Sequence, residues 1–370
     1  MKELIGDHNL FLNKLMKHLD QAQIEVKDFM IDHLCYRVQS LSEYEEMKEK
    51  LSQYGKLLTE EEVGGRPIAS FKLFNPLSYF EKKIPLIELP APKKNSVHKS
   101  GLEHAEMVIP HTFEQMMAIY PHVSFVTKGL EKKFNPELEI EFSDMAVKFH
   151  HLPLESVIAI EQEKIPPEFC NLKMEIPHLI YRADYYGPEN FIGMPVEGYY
   201  NPYPLLTRVA AKMLKAAALE LEQHKLGFML FDSYRPQMAV DHFYRWSQEP
   251  GPDHHPLYFP EIKKRDLFEE GYLAKKSSHS RGSTVDLTLY DLVTKKELDM
   301  GSIFDYFHDT SHTECPKLSD EIKERRKFFV DIMKKHSFKN YRQEWWHFTM
   351  MSEPYPSIYF NFPIRDFWNS

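Results

Sequence analysis

Paired prolines, mixed charge and a lack of sustained periodicity set the stretch EQEKIPPEFCNLKMEIP (161–177) apart from its surroundings. Neither a helix nor a central strand propagates easily through Pro166-Pro167. The chain is therefore expected to fold as two bodies, 1–162 and 176–370, joined by a linker at 163–175. At 370 residues it is long enough for each to bury its own core.

Before this seam, short strand-like runs alternate with helical stretches. IDHLCYRV (31–38) reads as a strand, SEYEEMKEKLSQYG (42–55) as a helix, and PIASFKLF (67–74) and IPLIELP (84–90) as strands. The order then recurs, with LEHAEMVI (102–109) as a strand, HTFEQMMAIYP (111–121) as a helix and strands through MAVKFHHL (145–152). A duplicated βαβββ unit is the expectation. Asp32-His33 and Glu103-His104 fall early in the first strand of each repeat.

After the seam, PLLTRVAAKMLKAAALELEQHKLG (204–227) has helical apolar spacing and stops at a glycine. GFMLFDSY (227–234) and VDLTLYDLV (285–293) read as strands, and SDEIKERRKFFVDIMKKHSF (319–338) as a helix. Helices and strands mix without a regular βαβ repeat, so the class is α+β.

A hydrophobic fraction of 42% and a charged fraction of 27% are those of a soluble globular protein. The net charge of -9 argues against nucleic acid or an anionic membrane as the main partner. The basic runs Lys263-Lys264-Arg265 and Arg325-Arg326-Lys327 read as solvated helix faces. No run approaches the ~20 apolar residues that span a bilayer. The opening residues MKELIGDHNLFLNKLMKHLD read as an amphipathic helix, not a signal peptide. Three scattered cysteines, Cys35, Cys170 and Cys315, do not make a disulfide framework and suggest a reducing, cytoplasmic setting.

Nineteen histidines make chance clusters common. His150-His151 and His254-His255 are sequence neighbours, which rarely converge on one metal, and HDTSH (308–312) lacks the glutamate of a zinc-protease helix. Three other segments carry more chemistry. SSHSRGSTVDLTL (277–289) offers His279 and Asp286, with Arg281-Gly282-Ser283 allowing a reversal between them. QEWWHF (343–348) holds Glu344 and His347 beside two tryptophans; they share a face on a helical turn, whereas a strand would need a bulge. DSYRP (232–236) ends a buried strand and presents Arg235. His279, Asp286 and His347 are the donor types a catalytic zinc uses, leaving a fourth position open. Glu344 would be the base and Arg235 the group that steadies a developing oxyanion. The plainer alternative is a hydrogen-bonded turn histidine beside a tryptophan core.

SSHSRGSTVDLTL followed by EWWH strongly resembles the motifs of zinc D-alanyl-D-alanine dipeptidases of the VanX type, over roughly residues 176–352. DSYRP, NFIGMPVEGYY (190–200) and MGSIFDYF (300–307) take part in the likeness. The resemblance implies zinc on His279, Asp286 and His347, Glu344 as base, and Arg235 at the transition state. It implies Asp305 as the acceptor of the substrate's ammonium group, with Tyr185, Tyr199 and Ser277 lining the pocket. Thr284 stands where the motif usually has alanine. The implied substrate is free D-Ala-D-Ala, and a peptidase acting on peptidoglycan stem peptides is the related alternative.

IDHLCYRV, GRPIASFKL, IPLIELPAP and GLEHAEMVI resemble the YecM-type family, over about residues 1–160. That resemblance implies a glyoxalase-like (vicinal oxygen chelate) fold. It implies a second divalent metal on His33, Glu88 and His104, with His150 as a further candidate. A sensing or interaction role for this half is the alternative to catalysis.

Overall fold

The computed structural model describes residues 1–93, 99–132, 135–162 and 164–365. It has two compact units, Met1–Gln162 and Glu163–Ser370. Both combine sheet and helix, so the protein is α+β with two domains.

Seven strands of the first unit form one sheet. They are β1 (Met30–Arg37), β2 (Gly55–Glu62), β3 (Pro67–Tyr79), β4 (Lys82–Pro90), β5 (Gly101–Val108), β6 (Leu138–Glu141) and β7 (Ala146–His150). Their order is β2-β3-β4-β1-β5-β7-β6. The opening strand of each repeat pairs in parallel with that repeat's last strand, β1 with β4 and β5 with β7. The two opening strands then pair antiparallel with each other. The duplication is thus present in the topology.

The repeats are unequal, which departs from the expected pair of βαβββ units. Among the described residues the second is βαββ, and the missing strand survives as a single bridge between Val126 and Glu139. Pro121, Gly129 and Pro136 in this stretch explain the loss, because none supports a continuous ladder.

The first repeat has the expected βαβββ order, with β2 as the strand to which no segment was assigned. The preceding helix ends at Ser52, and Gly55 starts the strand where a Cβ would meet the Lys72 carbonyl oxygen at 2.7 Å. Its sequence, GKLLTEEE, is largely exposed at the sheet edge, so it carries little alternation. The helix His8–Gln21 brings Leu12, Leu15 and Leu19 to a core with Leu34, Phe71, Ile87, Met107 and Phe149.

In the second unit, β9 (Ile180–Tyr181), β11 (Leu226–Asp232), β12 (Thr284–Asp291), β13 (Phe338–Tyr341) and β14 (Glu344–Met350) build a sheet ordered β13-β14-β12-β11-β9. β8 (Phe169–Asn171) and β10 (Leu205–Thr207) form a separate pair. The helix Asp320–Lys335 covers one sheet face, its Phe329 ring 4.8 Å from Phe348. Alternation along β14 turns the neighbouring His347 to the opposite face.

The segment expected as a linker, 163–175, contains β8 and the helix Leu172–Glu175. Phe169 is only 1% exposed and packs edge-on against Tyr234, Phe360 and Phe362, centroids 4.9–5.2 Å apart. The prolines mark only the approach to β8; the apolar residues just after them are core. Two basic runs also depart from their reading as solvated faces. Arg326 is 1% exposed and donates to the carbonyls of Met300, His312 and Thr310 at 2.7, 2.7 and 2.9 Å. Lys264 is 6% exposed and donates to the Glu249 carbonyl at 3.0 Å. Hydrogen bonds to backbone carbonyls offset part of the cost of burying such a guanidinium or ammonium.

All three cysteines are buried free thiols. Among the described residues, no helix is long and apolar enough to cross a membrane.

Candidate active site

The sheet face opposite the helix Asp320–Lys335 gathers the polar residues. Asp232 on β11 pairs in register with Asp286 on β12, and Asp286 with His347 on β14, so the three sit side by side across three strands. Glu344 and His347 share a strand, and the pairing of β13 with β14 shifts register between Asn340 and Tyr341. That irregularity is the bulge a strand needs to bring residues three apart together.

His279 arrives from the turn Ser278–Arg281, whose first residues are tied by the Ser277 hydroxyl accepting from the His279 N–H at 3.3 Å. Gly282 then reverses the chain in the left-handed region, φ 71°. A Cβ there would lie 2.5 Å from Phe169 Cζ. Gly282→Ala should therefore destabilise the second unit by about 2–4 kcal/mol, from left-handed strain plus overpacking. Urea unfolding followed by tryptophan fluorescence checks this, and an unshifted midpoint contradicts it.

Ligand-type atoms of three side chains converge. His279 Nε2 lies 3.1 Å from Asp286 Oδ2 and 3.3 Å from His347 Nδ1, which is 3.0 Å from Asp286 Oδ1. A tetrahedral zinc with spokes of about 2.0–2.1 Å has donor atoms roughly 3.3 Å apart. The spacing and donor types thus fit a zinc ion. His279 Nδ1 donates to the Ser233 carbonyl at 2.7 Å, so Nε2 is the ring nitrogen that faces the others. Asp286 Oδ1 is buried and receives no hydrogen bond, an oxygen that a cation would satisfy.

Electrostatics sharpen the site. Burial alone would raise the Asp286 carboxyl, yet His279 and His347 outweigh it and hold it well below the usual carboxylate range. Burial, helped by Asp286 and Asp305, pushes Glu344 well above that range. Glu344 Oε2 is 3.4 Å from His347 Nδ1.

Arg235 projects from the end of β11, its Nε donating to Asp232 at 2.9 Å and its guanidinium reaching Asp286 at 3.5 Å. Asp305 has φ 58° and accepts from the Tyr185 hydroxyl at 2.8 Å. Its loop is pinned by Phe304, stacked on Phe231 at 4.5 Å, and by the Arg326 clamp on Met300 and Thr310. A strained backbone held this firmly at a cavity is characteristic of functional sites.

A cavity of about 270 Å³ is lined by Tyr185, Arg235, Ser277, Asp305, Glu344 and Trp346 together with the three candidate ligands. Tyr199, expected to line it, is instead buried with its hydroxyl donating to Asp232 at 2.7 Å. Sequence reasoning passed over Asp232 and Arg326. Asp232 could have been found as the partner three residues before Arg235; nothing local announces Arg326.

The first unit holds a larger cavity, about 1260 Å³. Its candidate ligands do not form one set of four. His33 and Glu88 meet Glu106, while His104 joins Cys35 and Glu103, and His150 joins Asp32 and His33. Glu106 was the residue missed; it stands two residues beyond His104, on the same strand face. It lies 3.5 Å from His33 Nε2 and 3.2 Å from His104 Nε2. Burial opposes charge on Glu106, but His33 and Lys148 hold its carboxyl well below the usual range.

Residues 167–365 match the family model for D-Ala-D-Ala dipeptidase, and residues 1–161 match the model for YecM protein. A D-alanyl-D-alanine dipeptidase of Enterococcus faecalis is 40% identical over 183 residues, covering 49% of this chain and 91% of that protein. One of Streptomyces coelicolor is 39% identical, with the same coverage of 49% and 91%. Protein YecM of Escherichia coli is 27% identical over 177 residues, covering 44% of this chain and 94% of that protein.

Proposed function

Since the chain belongs to the D-Ala-D-Ala dipeptidase family through residues 167–365, we propose that its second unit hydrolyses free D-Ala-D-Ala to two molecules of D-Ala with zinc held by His279, Asp286 and His347. The observation that carries this reading is the convergence of those three donors at 3.0–3.3 Å beside Glu344, at the wall of a cavity.

Zinc in such a ligand set supplies Lewis acidity that polarises a carbonyl and acidifies water. Glu344 takes a proton from the attacking water as its oxygen bonds to the peptide carbon. It then delivers that proton to the amide nitrogen, so the C–N bond breaks with the leaving group as a neutral amine. Arg235, oriented by Asp232, holds the oxygen on which negative charge develops. Asp305 receives the substrate's ammonium group, and the Tyr185 hydroxyl keeps its carboxylate aimed. Ser277 contributes a hydroxyl to the cavity wall. The cavity is smaller than the roughly 300–1,000 Å³ of pockets for drug-sized ligands, which suits a dipeptide over a stem peptide. Three buried thiols suit a reducing compartment, so we assign the reaction to the cytoplasm.

Release of free D-Ala from D-Ala-D-Ala, its N-acetyl derivative, an L,L-dipeptide and a stem pentapeptide tests the reading. The free D,D-dipeptide should be preferred. Asp305→Asn should lower its kcat/KM by about 10–100-fold, the loss of one charge-assisted hydrogen bond. Equal turnover of the N-acetylated compound would sink the role of Asp305.

A second reading concerns the first unit. His33, Glu88 and Glu106 offer ligand atoms within 4.8 Å of one another, and His33 Nε2 is buried without a hydrogen bond. We infer that these three hold a divalent cation, with His104 and His150 supporting the site.

A further inference from the structure

One end of the cavity in the first unit carries a charge pattern for which the metal reading has no use. His33, Cys35 and Arg37 of β1 line it as alternate residues, as do Ser70 and Ile68 of β3 with Arg66 just before that strand. Ser70 pairs with Glu88 and Ile68 with Pro90, so the strands run in step. Glu88 pairs with Cys35 and His33 with Glu106, so the cluster of His33, Glu88 and Glu106 spans two residues along β1. Beyond the level of Glu88, Arg37 comes two residues further along and Arg66, counted from Ser70, four, roughly 7 and 13 Å at about 3.3 Å per residue. Lys93, three residues past the end of β4, joins them at the cavity rim.

The three cations crowd each other. Burial and then Arg37 draw the Arg66 guanidinium below its usual range, and burial followed by Arg66 and Arg37 does the same to Lys93. Arg37 has an anionic partner in Glu103 at 2.7 Å. Arg66 donates to the neutral Ala91 carbonyl at 2.8 Å, and among the described residues neither it nor Lys93 has a carboxylate in ion-pair range. Elsewhere the lining is rich in acids, including Glu61, Glu131, Glu139 and Glu141. Lys128, Lys132 and Lys148 are interspersed among these acids, and acids outnumber cations in the lining, so the cavity is not a generally basic surface. Three neighbouring cations that share one carboxylate, Glu103 on Arg37, keep an excess of positive charge and form a prebuilt seat for an anion.

We propose that Arg37, Arg66 and Lys93 are the anion seat of a ligand site, which takes a small organic acid with its carboxylate or phosphate on these cations and its other end directed toward His33, Glu88 and Glu106. Contact of that far end with a bound cation rests on the metal reading above; the seat itself does not.

The test is calorimetric titration of the full chain with glutarate and with inorganic phosphate, after metal is removed by chelation and dialysis so that only the seat is probed. At least one probe should bind, and the tighter one identifies the anionic group. Arg66→Gln and Lys93→Gln should each weaken it by about tenfold or more, while Arg66→Lys, which keeps the charge but loses the planar fork, weakens it less than Arg66→Gln. An unchanged unfolding midpoint certifies the Arg66 variants; should Arg66→Gln unfold, the exposed Lys93 decides the matter. No heat from either probe in the millimolar range, or equal binding by Lys93→Gln, overturns the proposal. Anion binding by a chain in which His33→Ala leaves the metal content unchanged would count against the metal reading alone.

Discussion

Replacing Glu344 with Ala is expected to lower kcat for D-Ala-D-Ala by about 10²–10⁴-fold, the range a positioned general base contributes. Bound zinc should remain at its original stoichiometry, because Glu344 lies beside the three donors and is not one of them. The side chain stands 3.4 Å from His347 Nδ1 and is buried with Asp286 and Asp305 as acidic neighbours. A carboxyl in that setting is biased toward holding a proton, which suits a group that must accept one and pass it on. Metal analysis and steady-state kinetics on the same sample separate the two effects. Retained turnover would show that another residue is the base; lost zinc would make Glu344 a ligand.

Asp286→Ala is expected to remove the zinc of the second unit and reduce activity to background. Asp286 sits between His279 and His347 at 3.1 and 3.0 Å, and it is the one anion that compensates a dication among the three donors. Outer-shell partners of metals typically carry 10–100-fold in affinity, so a direct ligand should exceed that. Metal content of the intact chain should fall by one ion. If the first unit binds its own cation, the remaining ion should vanish in His33→Ala while dipeptide hydrolysis persists. Full zinc occupancy in Asp286→Ala would refute the ligand assignment.

Much of the second unit was legible because its chemistry is concentrated in short segments. Ser277, His279, Gly282 and Asp286 lie within ten residues, and Glu344 and His347 within four. Such spacing reflects one turn and one bulged strand, both local. The partners that orient these residues were less visible. Arg326 belongs to a run that looks solvated, and only its three carbonyl acceptors, brought from residues 300–312, make its burial tolerable. Phe169 looks like part of a linker until Tyr234, Phe360 and Phe362 close around it. Tyr199 belongs to the site's motif region, yet its hydroxyl goes to Asp232.

In the first unit the balance differs. The recurring order of strand-like and helical segments was enough to foresee a duplication, though not that the second repeat keeps one strand fewer than the first. Which polar residues meet was not foreseeable from either strand alone. His33 faces Glu106 because β1 and β5 pair antiparallel in that register, and His33 reaches Glu88 because β1 and β4 pair in parallel. Sequence by itself determined the two-part organisation, the residue types able to hold zinc and the family of the second half, since all of these reside in local pattern. Tertiary structure alone decided that 164–175 is largely folded, that Glu106 lies beside His33 and Glu88, and that Arg37, Arg66 and Lys93 line one cavity. Those facts depend on strand register and on packing between residues far apart in the chain, which no local pattern encodes.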